Sequence, residues 1–354
     1  AQRQQAGGEV TRFTAALCLL LLLPACADGS ARARAAAWLA AQQQADGSFR
    51  SEHYAVLRSG QAVTPFVLHA LLVHGVAPGE PVVARGLAFV RAAIGADGAI
   101  GYADPDLLEY PVYATALAML VLVRVGDPAD RERIGAMATW LTRQQCNEAR
   151  GFSPDSPAYG SFGFGARGLP PGEPGHVDLT HTRLALQALS ASGRLDDTVC
   201  GPAFVLLRNL QAPDGGFAFS PVVVEANKAG RDAQGRLRAY ATATADGLLA
   251  LRALGVPEHD VRLTAARAWL AQHASAERIG GIDEHPAEPW HDALRFYHAM
   301  VLAEAHPPAR EDLAAMLRAR QRPDGSFASN LVTAMKEDDP LLATALALHA
   351  LAAH

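Results

Sequence analysis

One short element, repeated along the chain, constrains this sequence more than any other feature. A helical segment ends in Gln, and a turn follows that carries Asp-Gly and an aromatic residue. The copies read Gln42-Gln43-Gln44-Ala45-Asp46-Gly47-Ser48-Phe49, Gln211-Ala212-Pro213-Asp214-Gly215-Gly216-Phe217 and Gln321-Arg322-Pro323-Asp324-Gly325-Ser326-Phe327. A divergent copy runs from Gln145 to Gly151-Phe152; Ile94-Gly95-Ala96-Asp97-Gly98 keeps the Asp-Gly, and Ile279-Gly280-Gly281-Ile282-Asp283 keeps the glycines. Gly after Asp supplies the positive φ that stops a helix and turns the chain. Gln can close the turn through neighbouring backbone, and the aromatic is expected to pack the turn against the next hairpin. Such a unit stabilises a stack of hairpins and carries no chemistry of its own.

Each turn is followed by a second, more apolar helix, predicted near 62–75, 111–126, 178–192, 241–254, 292–305 and 340–352. Segments such as Tyr113-Ala114-Thr115-Ala116-Leu117-Ala118 are apolar all round, which marks a buried helix. The helices before the turns, near 31–44, 80–93, 130–145, 197–210, 259–273 and 310–321, carry Arg and Glu on one face and are predicted to lie outside. A recurrence of roughly 50 to 65 residues signals repeat architecture. Six pairs alternating between inner and outer character predict an all-α fold, an α/α toroid (α6/α6 barrel) of about six helix hairpins, with residues 31–354 as one domain. The Gly- and Pro-rich loops 147–177 and 212–238 are expected to cover one mouth.

The beginning of the chain reads differently. Arg12 precedes an apolar run, Phe13 to Leu23, that is too short for a comfortable membrane span and has the length of a signal-peptide core. It ends in Leu23-Pro24-Ala25-Cys26, which resembles a bacterial lipobox. Residues 1–26 are therefore read as signal peptide and lipobox, with Cys26 as the lipidated residue. That predicts an exported protein at the periplasmic face or cell envelope, associated with membrane through a lipid anchor; simple secretion and a retained apolar segment are the alternatives. Net charge is −5 with no basic block, which argues against nucleic-acid binding. The remaining cysteines, Cys146 and Cys200, are placed at opposite ends of successive outer helices, too far apart to pair, and are expected to be free and buried.

The order of several segments resembles bacterial prenyltransferase and squalene-oxidase repeat proteins, which are related to squalene-hopene cyclases and protein prenyltransferase β-subunits. Gly151-Phe152-Ser153-Pro154 followed by Asp178-Leu179-Thr180-His181-Thr182 is similar to the family's G-F-x-Y-S-P and D-L-S-N-T. Asp214 to Pro221 and Lys228-Ala229-Gly230 are similar to D-G-G-F-x-Y-x-P and K-A-G. Tyr240 to Leu248, Phe296-Tyr297-His298 and Asp339-Pro340 continue the match, which spans roughly residues 35–352. The resemblance implies a central cavity at the inner-helix N-termini. Its expected lining is Glu109, Tyr110, Tyr113, Asp178, Thr180, His181, Tyr240, Thr242, Asp246, His291, Arg295, Tyr297 and His298, a set rich in Thr, His and Arg.

The chemistries of the relatives fit poorly. Terpene cyclases of this kind protonate an alkene with an Asp in D-x-D-D-T-A; the matching stretch has Thr180 at the donor position and His181 after it, with Asp178 alone surviving. Glu337-Asp338-Asp339-Pro340 reads as a helix start, with Asp339 as N-cap and Pro340 at N1. The zinc site of protein prenyltransferases would fall on Arg238, Tyr240 and His298, one ligand where three are needed, so no metal or other cofactor is expected. A glycan-processing barrel needs two converging carboxylates, for which Glu109, Asp178, Asp246 and Asp292 are available; of the four Trp only Trp290 points plausibly to the cavity. The reading that emerges is a cavity for an apolar or isoprenoid-like ligand, or for a protein partner. The alternative is a terpene-cyclase-like enzyme with a non-standard acid drawn from Asp178, His181, Asp246 and His298.

Overall fold

The computed structural model describes residues 23–104, 106–165 and 169–352. The apolar run before Leu23 and the side chain of Cys26 lie outside the described residues. Six inner helices form the ring: α2 (Val63–His74), α4 (Pro111–Val125), α6 (Leu179–Ala191), α8 (Ala241–Ala253), α11 (Arg295–Ala305) and α13 (Pro340–Ala352). Each packs on the next in that order, and α13 returns to α2, which closes the barrel. The outer helices are α1 (Leu23–Ala41), α3 (Pro81–Ala93), α5 (Arg131–Thr142), α7 (Asp197–Leu210), α9 (Val261–His273) and α12 (Arg310–Arg320). Helix α1 packs mainly on α13, so the first outer helix covers the seam where the ring closes. The all-α toroid is thus observed with the expected hairpin boundaries. Two differ: α1 begins at Leu23 rather than near 31, and the fifth inner helix is broken at Leu294 into a short α10 (Trp290–Ala293) and α11.

Composition explains the two rings. Every residue of α8 from Ala241 to Leu251 is buried, most of them Ala, Thr, Gly or Leu, so neighbouring helices approach closely. Outer helices bury one face only: α3 buries Val83, Gly86, Leu87 and Val90 and leaves its Arg side chains partly or fully exposed.

The repeated turn does three separate jobs. Gln211 Nε2 donates to the carbonyl of Gly215 in its own turn (3.1 Å) and to that of Arg262 at the start of the next outer helix (2.8 Å). Gln43 does the same with Gly47 and Val82, and Gln145 with Gly160 and Val199. Gln321 joins Gly325 to Ala31, so the last hairpin is stitched to the first. The turn Gly lets this contact form: a Cβ on Gly215, at φ +95, would sit 2.5 Å from the Ala265 carbonyl oxygen in α9. Third, a Thr on the inner helix accepts the N–H of the turn's last residue: Phe49 to Thr64, Ile100 to Thr115, Phe162 to Thr182, Phe217 to Thr244 and Phe327 to Thr344, at 2.9–3.1 Å. Phe217 thus packs on the inner helix of its own hairpin, where the sequence reading had the aromatic on the next one, while Phe327 meets Phe296 of the preceding hairpin. The Phe217 ring lies against Gly247, where a Cβ would come within 2.5 Å of it, and its full burial contributes about 2–3 kcal/mol. In the hairpin whose turn keeps only the glycines, His298 stands at the Thr position, bonded N–H to Leu294 as Thr244 is to Tyr240.

The stitches also correct the geometry expected for the cysteines. Both are free, Cys146 buried and Cys200 only partly so. Their helix ends are not a helix length apart, because Gln145 beside Cys146 reaches the carbonyl of Val199 beside Cys200. Outer helices are staggered so that the end of one meets the start of the next.

Left-handed backbone costs an Ala about 1–2 kcal/mol, and Gly255, at φ +73 with open space around it, should lose that much in Gly255→Ala. Gly215→Ala adds a clash with the α9 backbone and should cost about 3 kcal/mol or more. Urea unfolding midpoints check this; equal losses would show that the turn does not touch α9 tightly.

Candidate functional site

A cavity of about 470 Å³ opens at the N-terminal ends of the inner helices. Three loops roof it: Phe164 and His176 come from the first long loop, Phe219 and Lys228 from the second, and Met335, Lys336 and Glu337 from the loop before α13. The first loop is pinned by a small antiparallel pair, β1 (Phe162–Gly163) with β2 (Val177–Asp178), and Leu179 N–H bonds the carbonyl of Phe219 to hold the second beside it.

Of the expected lining, Tyr110, Tyr113, Asp178, Thr180, His181, Tyr240, Thr242, Asp246 and Tyr297 do face the cavity. Four expected residues do not. Glu109 is buried beside the wall and accepts the Ser59 hydroxyl, and burial raises its carboxyl. His291 ties the loop at 279–283, accepting from Ile279 N–H and donating to the Asp283 carbonyl. Arg295 is spent on Asp292 and Glu277. His298 sits behind the wall, between the Thr242 hydroxyl (3.1 Å) and the Ser275 carbonyl (3.0 Å), and burial brings it down to about 4. Trp290 is also absent from the lining and stands next to Lys228.

The lining is more apolar than the sequence implied. Leu57, Val63 and Phe66 from the first hairpin and Leu294, Leu342 and Leu346 from the last two form a continuous set of wall residues. Their inner helices are apolar on every face, so no pattern distinguished inward positions from those buried between helices.

The floor is polar. Asp246 is buried, paired with Arg183 at 2.8 Å, and accepts the hydroxyls of Thr180 (2.9 Å) and Tyr297 (2.9 Å). Burial raises the Asp246 carboxyl, opposed by Arg183 and the two hydroxyls, and the pairing raises Arg183 against its own burial. Below the floor polar side chains bridge the barrel. Arg183 donates to Gln187, Gln187 to Glu304 across the ring, and Glu304 faces His349, which stacks on His69. Helices α6 and α11 are not neighbours, so the Gln187–Glu304 bond spans the barrel interior. Burial holds both His69 and His349 below the ordinary imidazole range, so this column is neutral at its far end.

One wall carries an Asp–His arrangement. Asp178 caps α6 by accepting His181 N–H, and both its oxygens lie 2.9 Å from His181 Nδ1. His176 Nε2 approaches the same carboxylate at 3.3 Å. Burial opposes ionisation of Asp178, but His181 and His176 outweigh it and hold the carboxyl well below the usual range. Asp178 fixes the proton on Nδ1, so Nε2 of His181 is left free, and that atom is buried without a partner. Lys228 lies with its ammonium 3.8 Å from the Phe219 ring centroid. Burial brings it down to about 8 in spite of Asp178 and Asp246. At the rim, Lys336 Nζ donates to the Tyr110 hydroxyl (3.1 Å), and these two are the non-Gly residues with positive φ among the described residues. Glu337 crosses to α11, which has no capping side chain of its own, and accepts the N–H groups of Phe296 (2.8 Å) and Tyr297 (2.7 Å). Asp339 caps α13 as expected.

This arrangement is a poor source of a strong acid. Asp178 is an ionised acceptor between two imidazoles, and Asp246 is raised, hence a weaker acid, and committed to Arg183. Alkene protonation needs a carboxyl that is both protonated and unusually acidic. Among the four carboxylates that could have served a glycosidase, only Asp178 and Asp246 reach the cavity. Among the described residues no three His, Cys, Asp or Glu cluster as a metal site, and Arg238 is paired with Asp283 at 2.8 Å.

The model of the prenyltransferase alpha-alpha toroid domain matches residues 2–155 and 202–352. The chain belongs to that family. Among solved structures, the type II terpene cyclase MstE from Scytonema, in complex with geranylgeranyl dihydroxybenzoate, is similar over 93% of this chain and 97% of its own, with a TM-score of 0.59 and 14% identity. A protein from Actinoplanes matches over 92% and 99%, TM-score 0.60 and 17% identity. A glycosidase in complex with glucose matches over 92% and 96%, TM-score 0.51 and 13% identity. These likenesses show the shared toroid fold. No curated protein sequence matches the chain.

Burial pushes the Glu337 carboxyl up to about 8, against the two N–H groups it accepts. The folded state then holds this proton more tightly than the unfolded chain, whose carboxyl titrates near 4.5. Stability should therefore fall as pH rises from 4.5 towards 8 and level off above, by roughly a few kcal/mol. The difference between wild type and Glu337→Gln in urea titrations across that range isolates the effect; a difference of opposite sign would mean that the ionised cap prevails.

Proposed function

We propose that this toroid is a binding protein whose cavity takes an apolar, isoprenoid-like ligand and does not cyclise it. The observation that carries this reading is the cavity itself, walled by Leu57, Val63, Phe66, Phe164, Leu342 and Leu346 and closed below by the Asp246–Arg183 floor. At about 30 Å³ per water-sized group, its volume accommodates on the order of 15 such groups, the size of a sesquiterpenoid. The relative MstE is a type II terpene cyclase solved with a geranylgeranyl compound, which supports an isoprenoid class; the acids of this chain do not support its reaction.

Native mass spectrometry and lipid extraction of the purified protein test this. The expected result is a bound isoprenoid or comparable lipid, and loss of uptake in Leu346→Trp, which fills the cavity. An empty protein that takes up no farnesol would refute it. Cyclised product from squalene or a shorter polyprenyl substrate, abolished by Asp178→Asn, would replace it with the enzyme reading.

We also propose export with a lipid anchor on Cys26, supported by the apolar run Phe13–Leu23 and the Leu23-Pro24-Ala25-Cys26 sequence. Expression in a Gram-negative host with labelled palmitate should label the wild type and not Cys26→Ser; equal labelling, or none in either, would rule the anchor out.

A further inference from the structure

We propose that the cavity selects an amphiphile with an anionic head, its carboxylate or phosphate held by Lys228 and His181 and its apolar body against the opposite wall. This rests on the ligand-binding reading above and assigns the ligand's polar end.

Three observations converge. First, Lys228 faces the cavity and makes no ion pair or hydrogen bond among the described residues. What touches it is aromatic, with Phe219 at 3.8 Å and Trp290 at 5.7 Å from the ammonium. A lysine taken out of water normally finds an anion, and aromatic faces only partly replace one. Second, His181 Nε2 is buried without a partner in the same cavity, on a side chain only 9% exposed. Asp178 holds the ring in one orientation through Nδ1, as a carboxylate does for an imidazole that must present its other nitrogen. Approach of an acidic head lets His181 carry a second proton and donate through Nε2, with Asp178 already in place to balance the charge.

Third, the charges around the cavity leave room for one anion. Asp246 is balanced by Arg183, and Glu337 is spent on the N-terminus of α11. Asp178 already balances the proton that His181 takes up, and Lys336 at the rim donates to the Tyr110 hydroxyl, so Lys228 is left without a carboxylate of its own in the cavity. An anionic head supplies that partner, whereas a neutral ligand leaves the ammonium facing aromatic rings alone. The apolar residues are on the far side, on α2 and α13, so a ligand with one charged end and one apolar end satisfies both walls together.

Calorimetric titration with farnesoic acid, farnesyl phosphate and farnesol, on wild type and Lys228→Met, tests this at neutral pH. At least one of the two anions should bind ten-fold or more tighter than farnesol, the comparison between them showing whether the head is carboxylate or phosphate. Lys228→Met should lose that preference, with a cooperative thermal unfolding transition showing that the variant is folded; Lys228→Arg should retain part of it. Equal affinity for all three ligands, or a preference that survives in Lys228→Met, overturns the anionic head and leaves the apolar cavity intact. Binding of none of them overturns both readings.

Discussion

The hydrogen bonds of four glutamine side chains, one at the turn of each of four hairpins, stitch this architecture together. A ring of helix hairpins has no core of its own until neighbours meet, so each hairpin depends on its contact with the next. Gln211 makes that contact directional, because its amide joins its own turn to the first carbonyls of α9. Gln321 makes the same bond back to Ala31, so the ring closes by the interaction that builds it. The partners are backbone carbonyls at helix starts, which sequence drift in side chains leaves in place. That fits the return of Gln at four turns whose hairpins otherwise differ.

A ring of six inner helices cannot fill its centre with the small residues that let those helices pack. The chain resolves this in two ways along one axis. From the second turn of α6 onward, Arg183, Gln187, Glu304 and His349 bridge the interior. Above them the interior stays open, and the loops that precede α6, α8 and α13 roof it. The chemistry of the cavity follows from that asymmetry: its floor is the upper end of the polar column, and its walls are the first turns of the inner helices.

Helix starts concentrate polar groups because free N–H groups need acceptors. That made most of the site legible. Asp178 caps α6 and also holds His181, and Thr180, Thr242 and Tyr297 lie within one turn of a helix start. The same logic misplaced Glu109, His291, Arg295 and His298. Each stands near an inner-helix start, but helical periodicity does not say whether a side chain on a wholly buried helix faces the axis or a neighbour. Lys228 and Glu337 were visible as a K-A-G match and an acidic cluster, yet their places in the cavity depend on how long loops cross the mouth.

The sequence by itself determined the toroid, its six hairpins and nearly all their boundaries, because turn chemistry and apolar periodicity are local and recur six times. Only the tertiary structure decided which side of each hairpin the turn aromatic packs on and that the outer helices are staggered end to start. It alone decided that the cavity is apolar on one side and cationic on the other. Those features arise where segments more than a hundred residues apart meet, as Tyr297 meets Thr180 and Lys336 meets Tyr110. No local pattern encodes such a meeting; closure of the ring does.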